Sequence, residues 1–147
     1  MKPIFEPLRL RLSARVPLLK IDTVVAACGE NAEIIKRHVE KGRLRWVFNV
    51  AVKPEGIRDL RFWNREISAF TDSERNELDE LSKAETDTVI ASILGQTEEF
   101  QPGEVCLLLG VRRPTLLTLE LPRRRKKFNR QGLEQFLKAR LLATASN

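Results

Sequence analysis

The 147 residues contain no tyrosine, one histidine, one methionine and two cysteines. Each scarcity closes off a class of chemistry. Without a tyrosine the chain cannot by itself be a tyrosine recombinase. With His38 alone there is no His-Cys-Asp constellation, and no glycine-rich phosphate loop follows a strand, so an enzyme is the class with least support. Cys28 and Cys106 form neither a metal-ligand pattern nor a disulfide framework, and both read as buried thiols in a reducing cytosol. No apolar run reaches the roughly 18 residues a membrane span needs. The opening "MKPIFEPLRLRLSARV" interleaves its apolar residues with Arg and Glu, unlike a secretory signal peptide. The expected location is therefore cytoplasmic, and nucleoid-associated when the chain is on DNA. No motif points to a metal, a cofactor or a small-molecule substrate. The carboxylates of "NELDELSKAE" fall on several helix faces rather than converging.

What is present is charge, and it is segregated. The net charge is +6. Residues 1–71 hold 14 Lys/Arg and 8 Asp/Glu; residues 72–104 hold 2 and 10; residues 105–147 hold 10 and 2. Two basic blocks flank an acidic one. Solubility explains a mean charge, whereas segregation of this kind favours a polyanionic partner through Coulomb attraction and counterion release.

Periodicity supplies the elements. "LRLRLSARVPLL" alternates at period two and reads as a strand or extended arm that stops before Pro17. "KIDTVVAACG" reads as a short helix closed by Gly29. In "ENAEIIKRHVEKG", Asn31 caps a second helix, Glu33 sits in its first turn, Ile35 and Val39 face inward, and Gly42 ends it. "RLRWVFNVAV", "KPEG" and "IRDLRFW" form a β-hairpin turning at Pro54 and Gly56, with Trp46 and Trp63 as packing residues. "NREISAF" is a short helix carrying Ile67 and Phe70. Residues 72–95 read as one acidic helix opened by a Thr71–Glu74 capping box, with an incomplete stripe of Leu78, Leu81, Val89 and Ile93. "PGEVCLLLG" and "RRPTLLTLEL" are two further helices, the second started by Pro114. "PRRRKKF" is a basic strand or hairpin edge, and "NRQGLEQFLKARLLA" an amphipathic helix with Leu133, Phe136, Leu137, Leu141 and Leu142 inward.

The two basic blocks also match each other. Gly29 corresponds to Gly110, 81 positions on; Phe62, Ile67 and Phe70 correspond to Phe128, Leu133 and Phe136, 66 positions on. The first copy has 15 more residues in its β region. This is a tandem repeat of one small unit.

"CGENAEIIKRHVEKGRL" with "RFWNREISAF", and "LGVRRPTLLTL" with "KFNRQGLEQFL", resemble the excisionase-type, MerR-related winged helix-turn-helix family. The family pattern is a Leu-Gly-Val-Ser turn, a helix ending Ile-x-x-Gly-x-Leu, a basic wing, then Arg-Phe-x-x-x-x-Leu-x-x-Phe. Two departures stand out in the second copy: Arg112 occupies the capping position, and the wing is short. The resemblance implies an α+β, mainly α fold. It would have a winged helix-turn-helix at 1–71 with its N-terminal arm, an acidic connector helix at 72–95, and a second winged helix-turn-helix at 96–147. It implies a double-stranded DNA partner, in a transcription regulator or an architectural or recombination accessory factor.

In such folds the second helix of each pair enters the major groove and the wing holds phosphates. The expected groove-facing residues are Asn31, Glu33, Lys36 and Arg37 in the first copy and Arg112, Arg113, Thr115 and Thr118 in the second. The expected phosphate contacts are Arg43, Arg45, Lys53, Arg58 and Arg61 around the first wing. Around the second they are Arg123, Arg124, Arg125, Lys126 and Lys127. His38 is expected to be partly buried and structural. The competing reading is a protein-interaction module without DNA binding, in which the acidic helix pairs two copies into a homo-oligomer.

Overall fold

The computed structural model describes residues 16–51, 56–119, 121–124 and 127–142. It is an α+β fold, mainly helical, with eight α-helices and two three-stranded sheets among the described residues. The order begins β1 (Leu18–Leu19), α1 (Ile21–Cys28), α2 (Ala32–Glu40), β2 (Val47–Asn49), β3 (Leu60–Trp63) and α3 (Asn64–Thr71). Two helices follow, α4 (Arg75–Lys83) and α5 (Thr86–Leu94). The chain then runs β4 (Glu99–Phe100), α6 (Pro102–Leu109), α7 (Arg113–Thr118), β5 (Arg123–Arg124), β6 (Lys127–Asn129) and α8 (Arg130–Arg140).

The order β-α-α-β-β-α thus occurs twice, and the sheets have matching topology, β1-β3-β2 and β4-β6-β5, antiparallel throughout. Leu19 pairs with Phe62 in one sheet and Phe100 with Phe128 in the other. Those partners are displaced by the same two offsets that relate Gly29 to Gly110 and Phe62 to Phe128 in the sequence. Gly29 (φ 69°) and Gly110 (φ 66°) each close a helix in the left-handed region, which a side chain at Cβ disfavours. Asn31 Oδ1 accepts from the Ile34 N–H at 3.0 Å, and Asn129 Oδ1 accepts from the Gly132 N–H at 2.7 Å, so α2 and α8 are both capped.

The acidic stretch departs from expectation. Where the sequence reads as one connector helix, the chain forms α4 and α5, broken by extended backbone at Ala84 and Glu85. A continuous helix would set Glu85 in the same stripe as Leu81 and Val89, four residues to either side, and bury its carboxylate. The break leaves Glu85 exposed while Leu81, Val89, Ile90, Ile93 and Leu94 are buried. The Thr71–Glu74 capping box is also absent. Thr71 ends α3, its hydroxyl donates to the Ser68 carbonyl, and Ser73 makes the turn at φ 57°. A capping box does form at α6, between Gln101 and Glu104.

The acidic segment also contributes to the core. Leu81, Val89, Ile90, Ile93 and Leu94 belong to a core that includes Trp46, Phe48 and Trp63 from the first β-α-α-β-β-α unit and Leu109, Leu133 and Leu137 from the second. The Trp46 indole Nε1 donates to the Leu81 carbonyl at 2.7 Å. A smaller cluster of Leu19, Val24, Ile35, Leu44, Val47, Phe62 and Ile67 fills the first unit. Beyond α8 the chain returns to the first sheet, where Leu141 bridges Phe48 and the Leu142 N–H donates to the Val47 carbonyl at 2.9 Å. Arg140 reaches the Ala51 carbonyl from the last turn of α8.

Candidate nucleic-acid interface

The first helix pair places a polar face outward because its apolar residues repeat at helical spacing. Ile35 and Val39 are buried, so Asn31, Glu33, Lys36, Arg37 and Lys41 are exposed on the outer side of α2 and its end. The Asn31 side chain is already committed to the helix as its cap. Arg43 follows, exposed, with Nη1 3.3 Å from His38 Nδ1, while His38 Nε2 lies 3.2 Å from a Glu30 carboxylate oxygen. The guanidinium can only donate, so Nδ1 is the acceptor and Nε2 carries the hydrogen that Glu30 accepts. Packed edge-on against Phe70 and 13% exposed, His38 is a partly buried anchor for the end of α2.

Arg45 is half-buried. Its guanidinium stacks over the Trp46 indole, 4.9 Å from the ring centroid. Arg58 is exposed in the short turn before β3. Lys53 lies outside the described residues.

Arg61 is not at the surface, and this overturns its expected phosphate contact. It is 6% exposed and donates to four carbonyls: Leu109 from Nε, Gly110 from Nη2, and Arg58 and Leu60 from Nη1. Burial lowers its pKa and nearby Asp59 raises it. Strand alternation explains the placement. Phe62 and Arg61 point to opposite faces of β3, and the second unit covers the face that Arg61 takes.

In the second unit Arg112, Arg113, Thr115 and Thr118 are exposed, and Leu116 is buried. Thr118 donates its hydroxyl to the Thr115 carbonyl at 2.6 Å. Arg112 precedes α7 without capping it, as its side chain requires, and the helix is only six residues long. Leu117 is 64% exposed on the same helix. Arg112 and Thr115 line a small hollow with Ala51, Asp59 and Arg61, so the start of α7 abuts the base of the first hairpin. Arg123 and Arg124 form β5, although only their backbone is described. Arg125 and Lys126 lie outside the described residues. Lys127 is exposed, with Nζ 3.7 Å from a Glu99 carboxylate oxygen.

The structure therefore gathers Lys36, Arg37 and Arg43 along one helix and its exit, gathers Arg112, Arg113 and Thr115 at the start of another, and removes Arg61. It also shows a residue that sequence reasoning missed. Glu66, in α3, is 1% exposed, and its two carboxylate oxygens accept from the Arg45 N–H (2.9 Å) and the Trp46 N–H (3.0 Å). Burial pushes its pKa up to about 7, against the opposing pull of the two N–H donors and the Arg45 charge. A glutamate three residues into a helix otherwise reads as a solvated charge; the missed signal is its place between the core residues Trp63 and Ile67.

Cys28 and Cys106, expected to be buried, are half-buried, and no disulfide joins them. Among the described residues no group of three His, Cys, Asp or Glu could hold a metal ion, and no helix is long and apolar enough to cross a membrane. Comparison with family models, curated proteins and solved structures returned no match to the chain.

Proposed function

We propose that the chain binds double-stranded DNA as a non-enzymatic regulator or architectural factor, through two winged helix-turn-helix units. The observation that carries the reading is the repeated β-α-α-β-β-α order with a basic outer face on the second helix of the first unit, formed by Lys36, Arg37 and Lys41 and extended by Arg43. In this reading α2 is the principal groove-reading helix, with Lys36 and Arg37 at base edges and Arg43 and Arg58 on phosphates. Arg112, Arg113 and Thr115 form the second contact, beside the first hairpin, and the basic residues at 123–127 hold the phosphate backbone. Because the two units share a core, they meet the duplex as one body.

The test is fluorescence anisotropy with a random-sequence duplex at low and moderate salt. Micromolar binding that weakens steeply with salt supports the reading, since each neutralised phosphate contributes about 0.9 to the logarithmic salt slope. No binding at low salt rejects it. A second reading, protein interaction alone, draws on Leu117. A large apolar side chain standing clear of a short, uncapped helix suits a protein partner as readily as thymine methyl groups. In that reading the apolar side of the acidic segment is already used by the chain's own core, which leaves its carboxylate face for a second copy.

A further inference from the structure

We infer that the groove between α1, α3 and α6 is a binding site for a small apolar carboxylate. The inference stands apart from the DNA reading.

The groove encloses about 750 Å³, within the range of small-molecule sites. Its walls are Leu19 and Ile67 from the first unit and Cys106, Leu107 and Val111 from the second. Leu107 is 56% exposed at its rim and continues the apolar wall to the surface. Small residues hold the walls apart, with Ala26 and Ala27 on α1 and Gly103 on α6. A Cβ at Gly103 would meet nothing within 4 Å, so the groove is open on that side.

The charge pattern selects the ligand. Among the described lining residues Lys20 is the one charged side chain, and no carboxylate lines the groove. Lys20 makes no ion pair among the described residues. Its stem runs beside Gly110, with Cε 3.1 Å from where a Cβ on that glycine would sit, so the ammonium lies where the two units meet. Thr23 of α1 and Ser68 of α3 also line the groove. Apolar walls with one cation suit an aliphatic or aryl body carrying a single carboxylate.

The test titrates full-length ¹⁵N-labelled protein with sodium octanoate and, as its uncharged counterpart, 1-octanol, following amide shifts. The expected result is octanoate binding at least tenfold tighter than octanol, with shifts confined to Lys20, Ala27 and Leu107 and their neighbours. Lys20→Met, on the surface and so compatible with folding, should remove that preference. Gly103→Leu, which extends into open space, should weaken both ligands at least tenfold while circular dichroism stays native. Equal affinity for the two ligands, shifts elsewhere, or an unaffected Gly103→Leu would overturn the proposal. So would no binding to the full chain, the result expected if the chain's own residues 1–15 or a protein partner fill the groove.

Discussion

The Arg61 guanidinium grips the end of α6 through the Leu109 carbonyl, at 2.8 Å from Nε. A second donation at 2.8 Å reaches the Gly110 carbonyl. These oxygens belong to the last turn of a helix, where carbonyls lack intrahelical partners and the helix dipole places partial negative charge. One side chain from the first unit thereby completes a helix of the second. Replacing Arg61 by leucine should cost about 3 kcal/mol, the penalty of stranding buried acceptors. Urea denaturation would show this as a lowered midpoint at unchanged slope. DNA affinity of the protein that remains folded should not change, and a selective loss of affinity with stability intact would return Arg61 to the phosphates.

Gly29→Ala and Gly110→Ala should separate backbone strain from crowding. Both glycines sit at positive φ, and a Cβ at Gly29 meets open space, so that substitution carries only the left-handed penalty of about 1–2 kcal/mol. At Gly110 a Cβ would stand 2.9 Å from Arg61 Nε and displace the clamp. The second substitution should therefore be clearly the more damaging in thermal melts, and equal losses would mean that the clamp contributes little.

Glu66 should make stability depend on pH in an unusual direction. Its folded-state pKa is about 7, against an ordinary 4.5. Between those values the native state holds a proton that the unfolded chain releases. Stability from this group is thus fully present below pH 4.5 and falls as pH rises toward 7, by up to about 3 kcal/mol. Glu66→Gln should start less stable, because its amide cannot accept from both the Arg45 and Trp46 N–H groups, yet lose less on going from pH 5 to 7.5. Parallel declines in the two proteins, by denaturant titration, would assign the effect elsewhere.

For DNA binding, Lys36→Ala with Arg37→Ala should cost more affinity than Arg112→Ala with Arg113→Ala. The first pair sits on a capped nine-residue helix and the second at the start of an uncapped six-residue one. Arg43→Ala should weaken specific and random duplexes alike and reduce the logarithmic salt slope by about 0.9, as one lost phosphate contact requires. Anisotropy on both duplexes distinguishes these roles, and loss confined to one sequence would make Arg43 a base-reading residue.

Local rules carried well where local forces decide. Asn31 caps its helix, and Gly29 and Gly110 take the left-handed closures, because each depends on a few neighbouring residues. The match of Phe62 with Phe128 reappears as sheet register, with partners Leu19 and Phe100 far along the chain. Arg61 and Glu66 were not legible. A charged side chain counts as surface in any pattern analysis, and what draws these two inward lies far along the chain for Arg61 and across the hairpin for Glu66. The same holds for the acidic segment. Its net charge of −8 over residues 72–104 describes the outer face, while Leu81, Val89, Ile90, Ile93 and Leu94 fix its place in the core. Of the candidate interface, the exposed faces of α2 and α7 were legible from apolar spacing; their setting against the shared core was not.

The return of Leu141 and Leu142 to β2 has a consequence for synthesis. β2 is an edge of its sheet, and the residues that seal it leave the ribosome last among those described. At about 5–20 residues per second, the nascent first unit waits several seconds with an open strand edge beside Phe48. A chain stalled or truncated before these residues keeps that edge open, so fragments lacking the last turn of α8 and the two leucines should depend on chaperones more than the chain that includes them.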